Sequence, residues 1–106
     1  MGEEGWGYLV VWEFLVRREA EKAFEEAYGL KGVWAEFFRK DAGYVRTDLV
    51  RDHKAEGRYL TMDFWTTREA YVSFRERHSS EYSEIDRCCE RLTESEAEIG
   101  SFERVH

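Results

Sequence analysis

The pattern of apolar and polar positions begins with a strongly apolar segment, Tyr8 to Val16. Every residue in this segment is apolar or aromatic except Glu13. Successive side chains of a strand point to opposite faces, so the pattern predicts a strand that is covered on both sides. Glu13 then places one carboxylate within an otherwise apolar row, and the pattern of this segment alone does not assign it a role.

The rest of the chain changes between helical and strand spacing. Apolar residues three and four positions apart predict helices at about 18–28, 33–39 and 81–92. Alternation predicts strands over 44–52, 58–65 and 99–105, with a hairpin turn at 53–57 and a connection at 93–98. Thr66 and Glu69 have the spacing of a capping box, which opens a further helix that carries Tyr71 and His78. Gly29 is placed to end the first helix in the left-handed conformation.

This order of elements predicts the fold class. Strand, helix, strand, strand, helix, strand is the order of two split βαβ halves, so we expect an α+β, ferredoxin-like fold with a four-stranded antiparallel sheet. A chain of 106 residues forms one small domain. We place that domain at 8–105, after a flexible N-terminal lead of residues 1–7.

One face of such a sheet has no helices on it. Fully burying a large apolar side chain contributes about 1.5–3 kcal/mol, and an apolar patch of this size exceeds what monomers usually expose. We therefore expect a homodimer through the open sheet face, which forms a dimeric α/β barrel. A different partner protein is the alternative cover. The predicted open face comprises Leu9, Val11, Leu15, Tyr44, Tyr59 and Trp65, or their alternates.

Charge and composition exclude several partners and compartments. The net charge of −7 argues against nucleic acid and anionic membranes, and no apolar run is long enough to span a bilayer. The N-terminus lacks the basic and apolar regions of a signal peptide, so we expect a cytoplasmic location. Cys88 and Cys89 are adjacent and cannot join distant segments. We expect reduced thiols, with Cys89 in the core and no role assigned by sequence to either.

Four segments carry a resemblance to a known family. They are Trp12-x-Phe14, Phe24 to Ala35 with glycines at 29 and 32, Gly57 to Trp65, and Leu92 to Phe102. The chain resembles the antibiotic biosynthesis monooxygenase family of dimeric α+β barrels over about residues 6–105. That resemblance implies an oxygenase acting without a cofactor on aromatic or quinol-type molecules. It also implies a functional tryptophan at Trp65 and a pocket tyrosine at Tyr71. Thr61 stands where the aromatic-polyketide oxygenases carry an asparagine.

Polar residues along the predicted strands suggest a site of general-base chemistry. Tyr59, Thr61, Asp63 and Trp65 share one face of the third strand, and we group them with Glu13 and Arg46. Carboxylates that share a semi-apolar cavity have raised pKa values, and such a carboxylate can deprotonate a phenol or quinol. Asp63 or Glu13 would then accept the proton, Trp65 and Tyr59 would orient a flat substrate, and Arg46 would offset the developing anionic charge. Thr61 and Trp12 are further candidate substrate-binding residues. The alternative is an ion pair of Arg46 with an aspartate or with Glu13 that only closes the barrel.

The histidines do not form a metal motif, and we expect neither a metal nor a cofactor. His78 is a candidate base or haem ligand, or else a histidine at a helix C-terminus, where positive charge is favoured. The leading hypothesis is a cofactor-independent, monooxygenase-like protein with Trp65, Tyr71, Asp63, Glu13 and His78 as candidate catalytic residues. The alternatives are a small-molecule-binding or dimerisation module that is not an enzyme, and a haem-binding or haem-degrading protein. Sequence does not fix the substrate.

Overall fold

The computed structural model describes residues 5–106 and contains four strands, four α-helices and two short 3-10 turns in that range. The strands are β1 Tyr8–Val16, β2 Tyr44–Arg51, β3 Arg58–Trp65 and β4 Thr93–Glu103. The α-helices are α1 Glu21–Tyr28, α2 Val33–Phe38, α3 Arg68–Arg77 and α4 Ser79–Cys89. The 3-10 turns are Arg18–Ala20 and Glu90–Leu92.

The strands form one antiparallel sheet in the order β2-β3-β1-β4. This is the predicted ferredoxin-like α+β fold, and the prediction is confirmed. The bounds predicted for β1 and β3 agree with the structure. β4 begins at Thr93, six residues earlier than predicted, because residues 94–98 are exposed on both faces of an edge strand and show no apolar alternation.

The aromatic core lies between the sheet and the helices. Even-numbered residues of β1 and odd-numbered residues of β3 face the helices, since Tyr8 pairs with Trp65 and Phe14 pairs with Tyr59. Phe24 of α1 and Phe74 of α3 are fully buried against them. Ring centroids of neighbouring aromatics lie 4.2–6.4 Å apart throughout this layer, the range in which offset and edge-to-face pairs are favourable.

Two predicted helix boundaries need correction. Gly29 has a φ of −84°, so α1 does not end in a left-handed residue. A Cβ at Gly29 would lie 2.6 Å from the carbonyl oxygen of Glu25, which explains the glycine by close backbone approach instead. The N-cap of α3 is Thr67 and not Thr66, since the Thr67 hydroxyl accepts a hydrogen bond from the Ala70 N–H at 3.0 Å.

The other face of the sheet carries no helix. Leu9, Val11 and Leu15 point to it, as predicted, because they pair with Phe64, Met62 and Arg58 of β3. Tyr44, Tyr59 and Trp65 were assigned to this open face, and that assignment is wrong. Tyr59 and Trp65 are buried on the helix side, and Tyr44 joins them there because a β-bulge between Tyr44 and Arg46 shifts its register.

The segment before β1 is partly joined to the sheet. Residues 1–4 of the predicted flexible lead lie outside the described residues. The Gly7 N–H donates to the Trp65 carbonyl at 2.9 Å, and the Arg104 N–H donates to the Gly7 carbonyl at 3.0 Å. The Trp6 ring packs edge-on against Phe64. Within residues 5–106, no helix is long and apolar enough to cross a membrane.

Candidate functional site

A cavity opens between the helix-side face of the sheet and helices α1, α2 and α4. Its volume is about 410 Å³ when the part open to solvent is included, but only about 40 Å³ of it is free interior, so the cavity is narrow. Eleven residues line it, most of them aromatic or acidic: Trp12, Phe14, Tyr28, Trp34, Phe38, Thr47, Thr61, Asp63, Tyr82, Asp86 and Glu96. We call this space the aromatic cavity.

Asp63 is the innermost carboxylate of the aromatic cavity. It stands on β3 opposite Val10 and Thr47, on the helix side of the central sheet, and is only 8% exposed. Burial raises its pKa to about 6, because the charged form loses solvation and a single hydrogen bond from Thr47 offsets this only in part. At neutral pH the group is therefore mostly ionised but readily accepts a proton.

A chain of hydrogen bonds leads from Asp63 to β2. The Thr47 hydroxyl donates to Asp63 Oδ1 at 2.7 Å, and the Tyr44 hydroxyl lies 2.7 Å from Thr47 Oγ1. Since Thr47 has one proton to donate, Tyr44 is the donor of the second bond. Thr47 and Asp63 are cross-strand partners, so the sheet register itself holds this contact. Asp63 Oδ2 receives no hydrogen bond from the described residues.

Two further carboxylates stand nearer the solvent. Asp86 of α4 is half-buried and Glu96 of β4 is exposed, so they mark the mouth of the aromatic cavity. Partial burial raises the pKa of Glu96, and repulsion from Asp86 and Glu90 raises it further. Neither Asp86 nor Glu96 forms an ion pair with any cation in the described part of the chain. The mouth therefore carries two carboxylates that no ion pair within residues 5–106 neutralises.

Trp65 and Tyr71 lie outside the aromatic cavity. Trp65 is fully buried and packs edge-on against the rings of Phe38, Tyr44 and Tyr71, at 5.4–5.5 Å between centroids. Its Nε1 has no hydrogen-bond partner among residues 5–106. The Tyr71 hydroxyl accepts a hydrogen bond from Arg75 at 2.6 Å. Trp65 is thus a core residue and Tyr71 packs against the core, while the catalytic role of either residue stays a prediction.

The predicted grouping of Glu13 and Arg46 with Asp63 is wrong. Glu13 pairs with Leu60 in the sheet and so points to the open face, away from Asp63. Its carboxylate accepts a hydrogen bond from Arg58 Nε at 2.6 Å. Arg46 also points to the open face, where it lies over the Phe64 ring at 4.1 Å and pairs with Asp48. It stands in the row of Leu9, four residues along β1 from Glu13, too far for the predicted ion pair.

Tyr59 and His78 also make structural contacts away from the aromatic cavity. The Tyr59 hydroxyl donates to Glu25 at 2.5 Å, which ties β3 to α1. His78 is the C-terminal cap residue of α3, as one of the two sequence hypotheses had it. Its ring lies 4.6 Å from the Phe74 ring, and its Nδ1 is 3.6 Å from Glu81. His78 does not line the aromatic cavity, so this position gives no support to the haem hypothesis.

Three predicted site residues do meet in the aromatic cavity, namely Trp12, Thr61 and Asp63. Sequence reasoning missed Thr47. The signal was visible, because Thr47 lies in the alternating strand that the predicted hairpin pairs with the third strand. It also missed the carboxylates of Asp86 and Glu96. Cavity-lining Tyr82 and Asp86 are four residues apart on α4, but their face could be recognised only once α4 was placed over the sheet.

The structure contains no clear metal centre in the range that it describes. Within residues 5–106, no three His, Cys, Asp or Glu side chains come together in a group that could hold a metal ion. Cys89 is buried, burial raises the pKa of its thiol, and Cys88 is exposed. The expectation of a site without metal or cofactor stays a prediction.

Comparison with known proteins assigns the family. The sequence model described as antibiotic biosynthesis monooxygenase matches residues 7–84, well over half of the chain. The chain belongs to the antibiotic biosynthesis monooxygenase family. A comparison with curated proteins found no match.

Solved structures support the fold at low sequence identity. SnoaB from Streptomyces nogalater, described as a cofactor-independent oxygenase, is 20% identical, with 95% of each chain covered and a TM-score of 0.68. A family protein from Bordetella bronchiseptica is 20% identical over 95% of this chain and 99% of its own, with a TM-score of 0.72. One from Deinococcus radiodurans is 11% identical over 93% of each chain, with a TM-score of 0.74. These likenesses establish the fold.

Proposed function

We propose that the aromatic cavity is the site of a cofactor-independent monooxygenase reaction on an aromatic or quinol-type small molecule. The observation that carries this proposal is Asp63, a buried carboxylate with a pKa of about 6 in a cavity walled by rings, whose Oδ2 accepts no hydrogen bond from residues 5–106. Family membership and the likeness to a cofactor-independent oxygenase support the reaction type.

The chemistry begins with proton transfer to Asp63. A phenol bound against Trp12 and Tyr82 would give its proton to Oδ2, and general-base assistance of this kind contributes roughly 10²- to 10⁴-fold. The phenolate then passes one electron to O₂, and the radical pair recombines as a peroxide at a ring carbon that still carries a hydrogen. Asp63 returns its proton to the peroxide, and loss of water, which takes the remaining hydrogen of that carbon, leaves a carbonyl. A CH₂ carbon thus becomes C=O, one oxygen atom enters the product and the other leaves as water, so no external reductant is needed.

The surroundings of Asp63 suit this step. Phe14, Phe38 and Trp34 exclude water from the inner wall, which strengthens electrostatic interactions at the reacting group. Thr47 and Tyr44 hold the carboxylate in one orientation from the β2 side. Thr61, in place of an asparagine, offers a hydroxyl on the same wall that can hydrogen-bond a substrate oxygen.

Oxygen consumption tests the proposal. We expect the protein to consume O₂ with an anthrone, whose enol tautomer is a phenol and whose CH₂ carbon satisfies the balance above. Asp63→Asn should reduce kcat by about 10²-fold or more, because the amide cannot accept the proton. Asp48→Asn is the matched control, since Asp48 lies on the open face of the neighbouring strand. Equal rates for wild type and Asp63→Asn would overturn the proposed role of Asp63.

A narrow interior supports a second candidate, a binding protein that is not an enzyme. About 40 Å³ of inner space is far below the roughly 300 Å³ of common ligand sites, so a ring must occupy the mouth or displace side chains such as Trp12. Saturable binding of phenols without O₂ consumption would favour this candidate over the oxygenase.

We also propose that two copies associate through the open sheet face. Leu15, Val50 and Phe102 are 40–47% exposed there, and Leu9, Leu60 and Met62 lie half-buried between them. The aromatic cavity lies on the opposite side of the sheet, so each copy would keep its own cavity. The molar mass in solution, measured by light scattering, tests this association.

A further inference from the structure

The aromatic cavity has an unusual balance of side chains. Its lining has six aromatic rings and three carboxylates, and no Lys, Arg or His is among the residues that line it. The rings are Trp12, Phe14, Tyr28, Trp34, Phe38 and Tyr82, and the carboxylates are Asp63, Asp86 and Glu96. The faces of aromatic rings attract cations, most strongly at tryptophan and tyrosine. Both kinds of lining group therefore favour a positively charged ligand.

The carboxylates are poorly compensated within the protein. Asp86 and Glu96 have no ion-pair partner in the described part of the chain, and they repel each other and Glu90. Asp63 is more than nine-tenths buried, lines the same cavity, and has an Oδ2 that accepts no hydrogen bond from residues 5–106. A ligand that donates hydrogen bonds and carries positive charge would satisfy both groups.

Arg75, a cation of the neighbouring helix α3, contacts two tyrosines instead of the mouth carboxylates. Arg75 of α3 stacks on the Tyr82 ring at 3.7 Å and donates to the Tyr71 hydroxyl at 2.6 Å. It lines a separate surface groove between α3 and α4 and does not line the aromatic cavity. Arg75 stacks on Tyr82 and forms no ion pair with Asp86 or Glu96.

From this arrangement we infer that the substrate is a phenol that carries an ammonium group, with the phenol directed towards Asp63 and the ammonium held between Asp86 and Glu96. Phenols that carry a carboxylate are excluded by the same two groups, because a like charge at a half-buried mouth is repelled. The inference deepens the proposed function by naming its substrate class, and it relies on that function for the phenol end. It makes Asp86 and Glu96 specificity-determining residues.

Three phenols of nearly equal shape test this inference by binding alone. They are 4-(2-aminoethyl)phenol, 4-propylphenol and (4-hydroxyphenyl)acetate, which differ in the charge at the chain end. We expect the amine to bind at least about tenfold more tightly than the neutral phenol, and the carboxylate at least about tenfold more weakly. Isothermal titration calorimetry at low salt gives the three dissociation constants, and added salt should reduce the differences among them.

Variants that replace carboxylates with amides show whether the charge preference comes from the two mouth carboxylates or from the net negative charge of the chain. Asp86→Asn/Glu96→Gln should bring the three constants within about threefold of one another. Glu84→Gln/Glu94→Gln, which changes two exposed carboxylates on the same helix and strand, should keep the wild-type spread. The inference is overturned if the carboxylate binds wild type as tightly as the amine, if the mouth variant keeps the spread, or if none of the three binds.

These outcomes are distinct from failure of the proposed function. Equal binding of all three phenols together with O₂ consumption would overturn the charge preference and leave the oxygenase standing. The expected order of affinities without O₂ consumption on any phenol, the anthrone included, would leave the charge preference standing and overturn the oxygenase.

Discussion

The Thr47 hydroxyl donates a hydrogen bond of 2.7 Å to Asp63 Oδ1 across the β2–β3 pair. The two residues are direct partners in the sheet, and both point into the aromatic cavity. Because this bond stabilises the charged carboxylate, it works against the burial that raises the pKa of Asp63. Thr47 therefore sets the pH at which the proposed base becomes available.

Removal of this hydroxyl should shift the ionisation of Asp63. Thr47→Val keeps the shape of the side chain and removes the donor, so we expect the pKa of Asp63 to rise above its value of about 6. A base must be deprotonated to act, and the acidic limb of the kcat/KM profile, which reports the free enzyme, should therefore move to higher pH by the same amount. Carbon-detected NMR of the Asp63 carboxyl measures the pKa directly. Thr47→Ser, which keeps a hydroxyl, should restore the wild-type value; an unchanged pKa in Thr47→Val would contradict this account.

Asp63 should also reduce the stability of the folded protein at neutral pH. Its folded pKa of about 6 exceeds the ordinary value of 3.8, so the folded state binds more protons between these values and stability falls as pH rises through this window. Asp63→Asn removes the cost and should stabilise the fold at pH 8 by up to about 3 kcal/mol, a gain that shrinks towards zero by about pH 4. Urea unfolding at several pH values measures it. A gain that does not depend on pH would show that ionisation of Asp63 is not the cause, and Asp48→Asn controls for net charge.

Trp65 should prove structural and not catalytic. Its ring is fully buried among Phe38, Tyr44 and Tyr71. Its Nε1 forms no hydrogen bond with residues 5–106, so replacement by phenylalanine breaks no hydrogen bond there. We expect Trp65→Phe to destabilise the protein by about 1–3 kcal/mol through lost packing. The kcat per folded molecule should stay within about threefold of wild type. A large drop in kcat with unchanged stability would instead support the catalytic role that the family resemblance implied.

Association through the open face can be broken by a single charge. Leu9→Lys places an ammonium beside Phe102 and Phe64 in the centre of the proposed contact. Light scattering should give about twice the 12.7 kDa of one chain for wild type and 12.7 kDa for the variant. Leu30→Lys, at a 66% exposed position between α1 and α2, should remain a dimer. A wild type of 12.7 kDa at micromolar concentration would contradict the proposed dimer.

Sequence patterns were sufficient for the elements and for the fold, because β1 and β3 carry strong apolar alternation and the order of elements permits few topologies. They did not reveal that Glu13 and Asp63 point to opposite faces of the sheet. β1 and β3 are not joined by a hairpin, so nothing local fixes their register, and a shift of one residue exchanges the two faces. The register in the structure places Glu13 opposite Leu60 on the open face, whereas Asp63 pairs with Val10 and points to the helix side.

The bulge in β2 had the same effect on Tyr44. Regular alternation places Tyr44 on the face of Arg46, whereas the bulge turns it towards Trp65 and brings its hydroxyl to Thr47. Three carboxylates do line the aromatic cavity, but they are Asp63, Asp86 and Glu96. Burial, and not a second carboxylate, raises the pKa of Asp63. Two of the three carboxylates come from α4 and β4, whose approach to the site depends on tertiary packing.

The central claim is that Asp63 starts oxygen insertion in the aromatic cavity, and isotope labelling tests it most directly. Under ¹⁸O₂, wild-type protein should convert an anthrone into a product that contains one ¹⁸O atom per molecule, with the second atom recovered as water. Asp63→Asn should form labelled product at least about 10²-fold more slowly. Unlabelled product from wild type, or labelled product at the same rate from Asp63→Asn, would contradict the account.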